Sequence, residues 1–376
     1  MIGWFAHALI QPVMSGEQLT PEQQRVVKAQ QLLQSRQLLL ENTLPQAAIP
    51  NAYAEAAIAG MLTWSQDRHG DLYGPLATAR YQQGVEGISG FTDLRFSVVD
   101  NQIVVVNVPA NSPGDIAGVE VGDILLEIDG IPFDQFMGAP EAVLLLQGPV
   151  DSTLTLTLQR GNEIFTRLVT RKERTYLSYR LINNEIGYLK TNYFFPNKTQ
   201  ELLEAMIEEF STIELRALIW DLRDNGGGYP AVAENIIGYF RQPDSLFYSV
   251  EFKDGTQREF RVAGDARFAE IPVVVLIDST TWSTGEIVAA AMAAGPSTQL
   301  IGTPTVGKGI IQDTVALDDR YMLHFTIAKW LTPTGEWIHQ EGVLPDITVV
   351  DDLATNEDEV MEAALDYLND VLTKAN

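Results

Sequence analysis

No cysteine occurs among the 376 residues, so disulfides and thiolate chemistry are excluded, while the redox compartment stays open. Basic residues are scarce: 25 Lys and Arg stand against 50 Asp and Glu. The resulting net charge of -25 repels a phosphate backbone, which argues against nucleic acid as a partner. No stretch approaches the roughly 20 apolar residues of a membrane span. Residues 1–10 are apolar but short and lack a basic start. They leave open a trimmed signal or anchor, through which alone a membrane would be touched, and a hydrophobic segment that packs on the body. Histidine is limited to His7, His69, His324 and His339, and no His or carboxylate cluster has metal-ligand spacing, so no catalytic metal is expected.

What is present reads as an ordinary globular composition, 45% hydrophobic and 20% charged, with length enough for two or three domains. Val26, Val27, Leu32, Leu33, Leu38 and Leu39 predict an amphipathic helix over 21–40, and Ala54, Ala57, Ile58, Met61 and Leu62 a second over 51–66. The pattern changes near Gly84. Short β-rich runs follow at 94–99, 102–108, 124–128 and 153–159, punctuated by Asp100-Asn101, Asn111-Ser112-Pro113-Gly114 and Asp129-Gly130. From about Thr175 apolar runs at 186–189, 217–222, 273–277 and 322–327 alternate with helical patterns at 198–209, 231–240 and 285–294. Such alternation predicts an α/β layer with parallel neighbours and chemistry at the strand ends.

Two strand ends carry candidate chemistry. Ser283 and Lys308 each follow a run that reads as a buried strand. A serine hydroxyl needs a base, most often histidine and in some enzymes a desolvated neutral lysine. None of the four histidines lies in a glycine-framed turn, whereas Lys308 sits in Val306-Gly307-Lys308-Gly309. Burial disfavours its ammonium and brings its pKa toward neutrality. Plainer readings compete. Ser283 with Glu286 is also a helix capping box. Gly226-Gly227-Gly228 after a strand resembles a phosphate loop, but no Walker-type lysine follows. Asp221 and Arg223 fit loop support, Asp278 a turn, and His324 a structural place in a strand.

The segment from Ser112-Pro113-Gly114-Asp115 through Val121-Gly122-Asp123 to Ile128-Asp129-Gly130 resembles a PDZ domain. Gly187-Tyr188-Leu189, the turn Asp221 to Gly228, Ser283-Thr284-Gly285-Glu286 and Gly307-Lys308-Gly309 with Gln312 follow. With Leu331-Thr332-Pro333-Thr334-Gly335 and Glu341 to Asp346 added, the chain from about Asn51 onward resembles a C-terminal processing peptidase, or tail-specific protease. The resemblance implies a mixed α/β multidomain fold: an N-terminal helical region (1–83), a β-rich PDZ module (84–172) and an α/β peptidase domain of the ClpP/crotonase-like type (173–376).

It further implies that Ser283 is the nucleophile, Lys308 the general base and Gln312 the group orienting the lysine amine. Oxyanion donors would be the backbone of Gly227 or its neighbour Gly226, and of Thr284. Four residues of straight strand span about 13 Å, so Gln312 reaches Lys308 only if the segment bends, as Gly307 and Gly309 allow. No cofactor is implied. Partners would be protein or peptide substrates with accessible C-termini, met in the cell envelope or outside the cell. Trp282 departs from the small residues usual beside the nucleophile, and would reshape the neighbouring subsite. In the PDZ module the carboxylate-binding loop falls at Gly90, Phe91, Thr92, Asp93 and Leu94, with Thr92 in place of a glycine and Asp93 as a like charge toward a peptide carboxylate. Those departures leave a rival reading: a catalytically silent peptide-binding adaptor on the same fold.

Overall fold

The computed structural model describes residues 57–374, except positions 59, 63, 66, 68, 86–89, 101, 133–138, 318 and 352–356. The helix predicted over 21–40 lies outside the described residues. The chain divides into a unit ending at Ser65 and a compact unit from Gln66 onward. In the first, the described residues from 57 to 65 are helical. Everything below concerns the second, with elements numbered in chain order.

A short strand β1 (Asp71–Tyr73) and helix α1 (Pro75–Val85) lead into an antiparallel sheet. That sheet has the order β2 (Arg95–Val99), β3 (Gln102–Asn107), β4 (Ile124–Ile128), β6 (Thr153–Arg160) and β7 (Glu163–Thr170), with β5 (Ile131–Pro132) beside β4. Its alternating residues Leu154, Leu156 and Leu158 point into one core with Ile103, Val105 and Leu125. The one-turn helix α2 (Pro113–Ile116) starts where the Ser-Pro pair predicts, with Ser112 accepting the Asp115 N–H. A side chain on Gly114 would run into Leu94, so the glycine lets that helix lie on the strand entry. Helix α3 (Ala139–Leu146) packs against β2.

The larger part is built on a six-stranded sheet of order β17 (Ile347–Thr348), β14 (Thr298–Gly302), β13 (Val273–Ile277), β10 (Ala217–Asp221), β9 (Ile186–Thr191) and β8 (Leu177–Ile182). All neighbours are parallel except the β8–β9 hairpin. Strands β10 and β13 are wholly buried, which is why they read as unbroken apolar runs. On one face Trp220, Val275 and Ile277 pack with residues of α4 (Pro196–Ser211), α5 (Pro230–Ile237) and α6 (Thr284–Ala293). On the other, Ile219, Val274 and Leu276 meet Val360, Ala364, Leu368 and Leu372, spaced four apart along α7 (Glu359–Lys374).

A third sheet runs β1, β16 (Met322–Leu331), β11 (Leu246–Phe252), β12 (Gln257–Arg261), and β15 (Ile310–Ala316) also pairs with β16. The observed β16 is four residues longer than its predicted run. In β12 and β15 polar and apolar residues mix without a clean period, so their sequence carries no strand signal.

Strands β10, β13 and β14 are adjacent, so their carboxyl ends lie side by side. They open, respectively, into the Gly226–Gly228 turn, the loop to Ser283, and the loop to Lys308. Three segments far apart in sequence thereby meet along one sheet edge.

Candidate active site

Ser283 stands at the N-terminus of α6 with φ 55°, a left-handed conformation that few non-glycine residues adopt and that clusters at functional sites. Its N–H donates to Glu286 Oε2 at 2.8 Å. The same carboxylate accepts the Thr305 hydroxyl at 2.6 Å, the Gly307 N–H at 2.6 Å and the Lys308 N–H at 2.9 Å. Ser283 and Lys308 therefore share one acceptor oxygen, which holds their backbones within the span of two hydrogen bonds. The Ser-x-x-Glu pattern was legible as a capping box, but its further reach to the lysine loop was not. That reach exists only because β14 lies beside β13.

Glu286 is fully buried. Burial pushes its carboxyl above the ordinary range, opposed by the hydrogen bonds from Thr305, Gly307, Lys308 and Ser283. Four donors on one buried carboxylate are what make its burial tolerable.

Lys308 is half-buried, with its amine 5.7 Å from the centre of the Trp282 ring. Desolvation lowers its pKa to about 8, against the pull of Glu286 and Asp67 toward the ammonium. His324 lies in the same field and is pushed down to about 4, first by burial and then by Lys308. Its ring stacks on Tyr73 and its Nδ1 bonds to the Thr314 hydroxyl, the structural place expected for it.

A bulge interrupts the β15–β16 ladder between Ile311 and Gln312, and Gly307 has φ 88°. The Gln312 amide, however, donates to the His69 carbonyl at 2.6 Å, so its donor is turned to segment 67–70 rather than directly to the lysine.

Of the expected oxyanion donors, Gly227 lies against the nucleophile: a Cβ there would approach Ser283 Cβ at 2.9 Å and Thr284 N at 3.3 Å. Its φ of 81° also favours glycine. Yet its N–H donates to Asn225 Oδ1 at 2.8 Å, and that of Gly226 to the Asn192 carbonyl at 2.8 Å. The Thr284 amide belongs to the first turn of α6, where helix geometry supplies no acceptor.

Asp221 and Arg223 buttress this turn. Buried Asp221 accepts from Arg223 and from the Tyr188 hydroxyl, and Arg223 reaches Asp358, the residue just before α7. Asp278 takes the N–H and hydroxyl of Thr280, as a turn former does.

The PDZ loop is held by contacts that its own sequence does not show. Gly90 and Phe91 are committed to bridges with Gly148 and Lys172, so their amides are already taken. Asp93 does not stand as an uncompensated like charge: it is paired at 2.6 Å with Arg174, which is sandwiched between the rings of Phe91 and Tyr193. Thr92 and Leu94 are buried in the same loop. Only the partner on the peptidase side, invisible in the local sequence, neutralises Asp93.

A family model for peptidase family S41 matches residues 185–349, and one for a PDZ domain matches residues 104–160. The chain is 31% identical over 252 residues to the carboxy-terminal processing protease CtpA of Bacillus subtilis, covering 66% of this chain and 53% of that protein. It is 24% identical over 331 residues to CtpB of the same organism, covering 86% and 68%. The carboxyl-terminal-processing protease of Synechocystis is 29% identical over 282 residues, covering 71% and 65%. Thus the chain spans about half to two-thirds of the length of these curated relatives. Among solved structures, a photosystem II D1 C-terminal processing protease shares the fold, with a TM-score of 0.66 at 23% identity over 87% of this chain and 89% of that one.

Proposed function

Because the chain belongs to peptidase family S41 and carries a PDZ domain ahead of the peptidase segment, we propose that it is a serine endopeptidase cleaving at or near the C-termini of unfolded or tagged proteins. The observation that carries this reading is the shared grip of Glu286 on the Ser283 and Lys308 amides, which holds the backbones of a hydroxyl-bearing residue and a desolvated lysine within the span of two hydrogen bonds. Lys308, with a pKa of about 8, is neutral in roughly one molecule in ten at pH 7 and in half at pH 8.

In the proposed cycle neutral Lys308 takes the Ser283 proton as the hydroxyl oxygen attacks the scissile carbonyl. The lysine ammonium then gives that proton to the departing amine, leaving an acyl-serine. Water, deprotonated by the same lysine, attacks the ester and frees the new carboxylate and the serine. Positive potential from the α6 N-terminus, with the Thr284 amide foremost, favours the oxyanion. Gly227 joins only when its N–H leaves Asn225 for the substrate oxygen. Gln312 acts on the lysine through its fixed place at the bulge. The family resemblance implies a place in the cell envelope or outside the cell, and we propose that location.

The engaged Gly227 amide favours a second reading, that of an adaptor that binds peptides without cutting them. A fluorophosphonate label followed by peptide mapping decides. Label on Ser283, absent in Lys308→Ala, is expected; an unlabelled protein that still binds peptides would establish the adaptor.

A further inference from the structure

Segment 67–73 lies outside both matched regions, yet it enters the site. Strand β1 pairs with β16, with Asp71 opposite His324 and Tyr73 opposite Met322. Just before it, Asp67 accepts the Thr326 N–H at 2.7 Å and the Thr326 hydroxyl at 2.9 Å. The His69 carbonyl takes the Gln312 amide at 2.6 Å. Thr326 and Gln312 are themselves cross-strand partners, at the bulge. Two residues of one short segment therefore hold both members of the pair where the strand is bent. The His69 ring also stands edge-on to Trp282 and His339, at 6.4 and 6.3 Å between centres.

We propose that Asp67 and His69 form a third component of the catalytic site, with Asp67 as a positioning residue that fixes the bulged strand β16 at Thr326, opposite Gln312, and contributes negative charge to the surroundings of Lys308. The proposal rests on the Ser283–Lys308 reading. Bulged strands owe their shape to what pins them, because the ladder is locally broken. Glu286 from α6 and Asp67 act on the lysine, His324 from β16 feels the lysine together with Asp67, Asp313 from β15 and His69, and His339 is linked to the Gly307 backbone. Of these, Glu286 and Asp67 act on the amine as anions. Glu286 is already spent on four donors, which leaves Asp67 as the carboxylate whose removal changes the field without dismantling the Ser283 corner.

The test is steady-state hydrolysis of a labelled unfolded casein by the full chain over a range of pH, comparing the parent with Asp67→Asn, Asp67→Glu and Thr326→Val. In Asp67→Asn the acid limb of kcat/KM should move to lower pH by roughly half a unit or more, because loss of a nearby anion disfavours the ammonium. Its plateau kcat should fall about tenfold while KM stays within about threefold, as misplacement of a catalytic group does. Asp67→Glu, which keeps the charge, should leave the limb in place. Thr326→Val, which loses one of the two donors, should lower kcat without moving the limb. A folded Asp67→Asn with an unmoved limb and kcat within twofold of the parent would overturn the proposal. Should circular dichroism find that variant unfolded, an unchanged kcat in Thr326→Val would overturn it equally. Ser283→Ala and Lys308→Ala run beside them: full activity in either removes the dyad and this proposal with it, whereas inactivity in both with a parent-like Asp67→Asn removes this proposal alone.

Discussion

At the scale of single residues the site turns on two ionisable groups, buried Glu286 and half-buried Lys308. Lys308 is desolvated more strongly than Glu286 and Asp67 favour its ammonium, so the pH dependence of kcat/KM should rise through about 8 and then level off. The sign follows from the need for an unprotonated amine; a rate that fell steadily from pH 5 to 9 in folded protein would place another group in control. Ser283→Ala and Lys308→Ala should each abolish turnover, and the double variant should be scarcely worse than either, since nucleophile and base work as a unit. Glu286 makes a separate prediction. A glutamine there presents an NH₂ to some of the four donors that now face a carboxylate. Glu286→Gln should cost about 1–3 kcal/mol in chemical denaturation for each donor left unpaired and slow acylation of Ser283 by a fluorophosphonate. Parent-like stability and labelling would show that the carboxylate is dispensable.

Among elements, the Gly226–Gly228 turn and helix α7 are joined through one arginine. Arg223 bridges Asp221, buried at the end of β10, to Asp358 just before α7, whose side chain is 46% exposed. The outer bond is screened and contributes little; the inner one compensates a carboxylate with almost no contact with water. Arg223→Leu leaves Asp221 with Lys190 and Tyr188, and should cost roughly 3–5 kcal/mol by urea denaturation. Asp221 is held below the ordinary carboxylate range against desolvation, chiefly by its hydrogen bond with Arg223. Its stabilising contribution is thus fully present above that range and lost as pH falls through its folded value, so parent and variant should converge in acid. A deficit that persisted undiminished there would assign the loss to packing.

For the whole molecule, the PDZ sheet is wired to the catalytic loops. Arg95, the first residue of β2, donates from its two terminal nitrogens to the carbonyls of Thr280 and Asp224, three residues before Ser283 and three before Gly227. A fork is needed to bridge two carbonyls, so Arg95→Lys should resemble Arg95→Ala, each lowering kcat by about tenfold with peptide affinity unchanged. Retention of full kcat in both would show that the clamp is idle. With Gly90 and Phe91 amides committed and Asp93 neutralised by Arg174, we expect weak peptide capture by the PDZ loop. Peptides ending in a free carboxylate and in an amide should differ only modestly in titrations, and a large preference for the free acid would mean that the loop opens to bind.

By itself the sequence carried the family resemblance, the mixed α/β class and the candidate pair Ser283 and Lys308, because these reside in local signals. Unbroken apolar runs imply strands covered on both faces, a serine before a helix implies a cap, and glycines mark turns with left-handed backbone. Tertiary structure decided what depends on strand order: that β10, β13 and β14 are neighbours, that Glu286 clasps the lysine loop, that Gln312 answers to His69 some 243 positions away, and that Asp93 meets Arg174. Each of these is a contact between groups whose partners are set by which strands lie side by side, and a hydrogen bond reaches only about 3 Å whatever the separation along the chain.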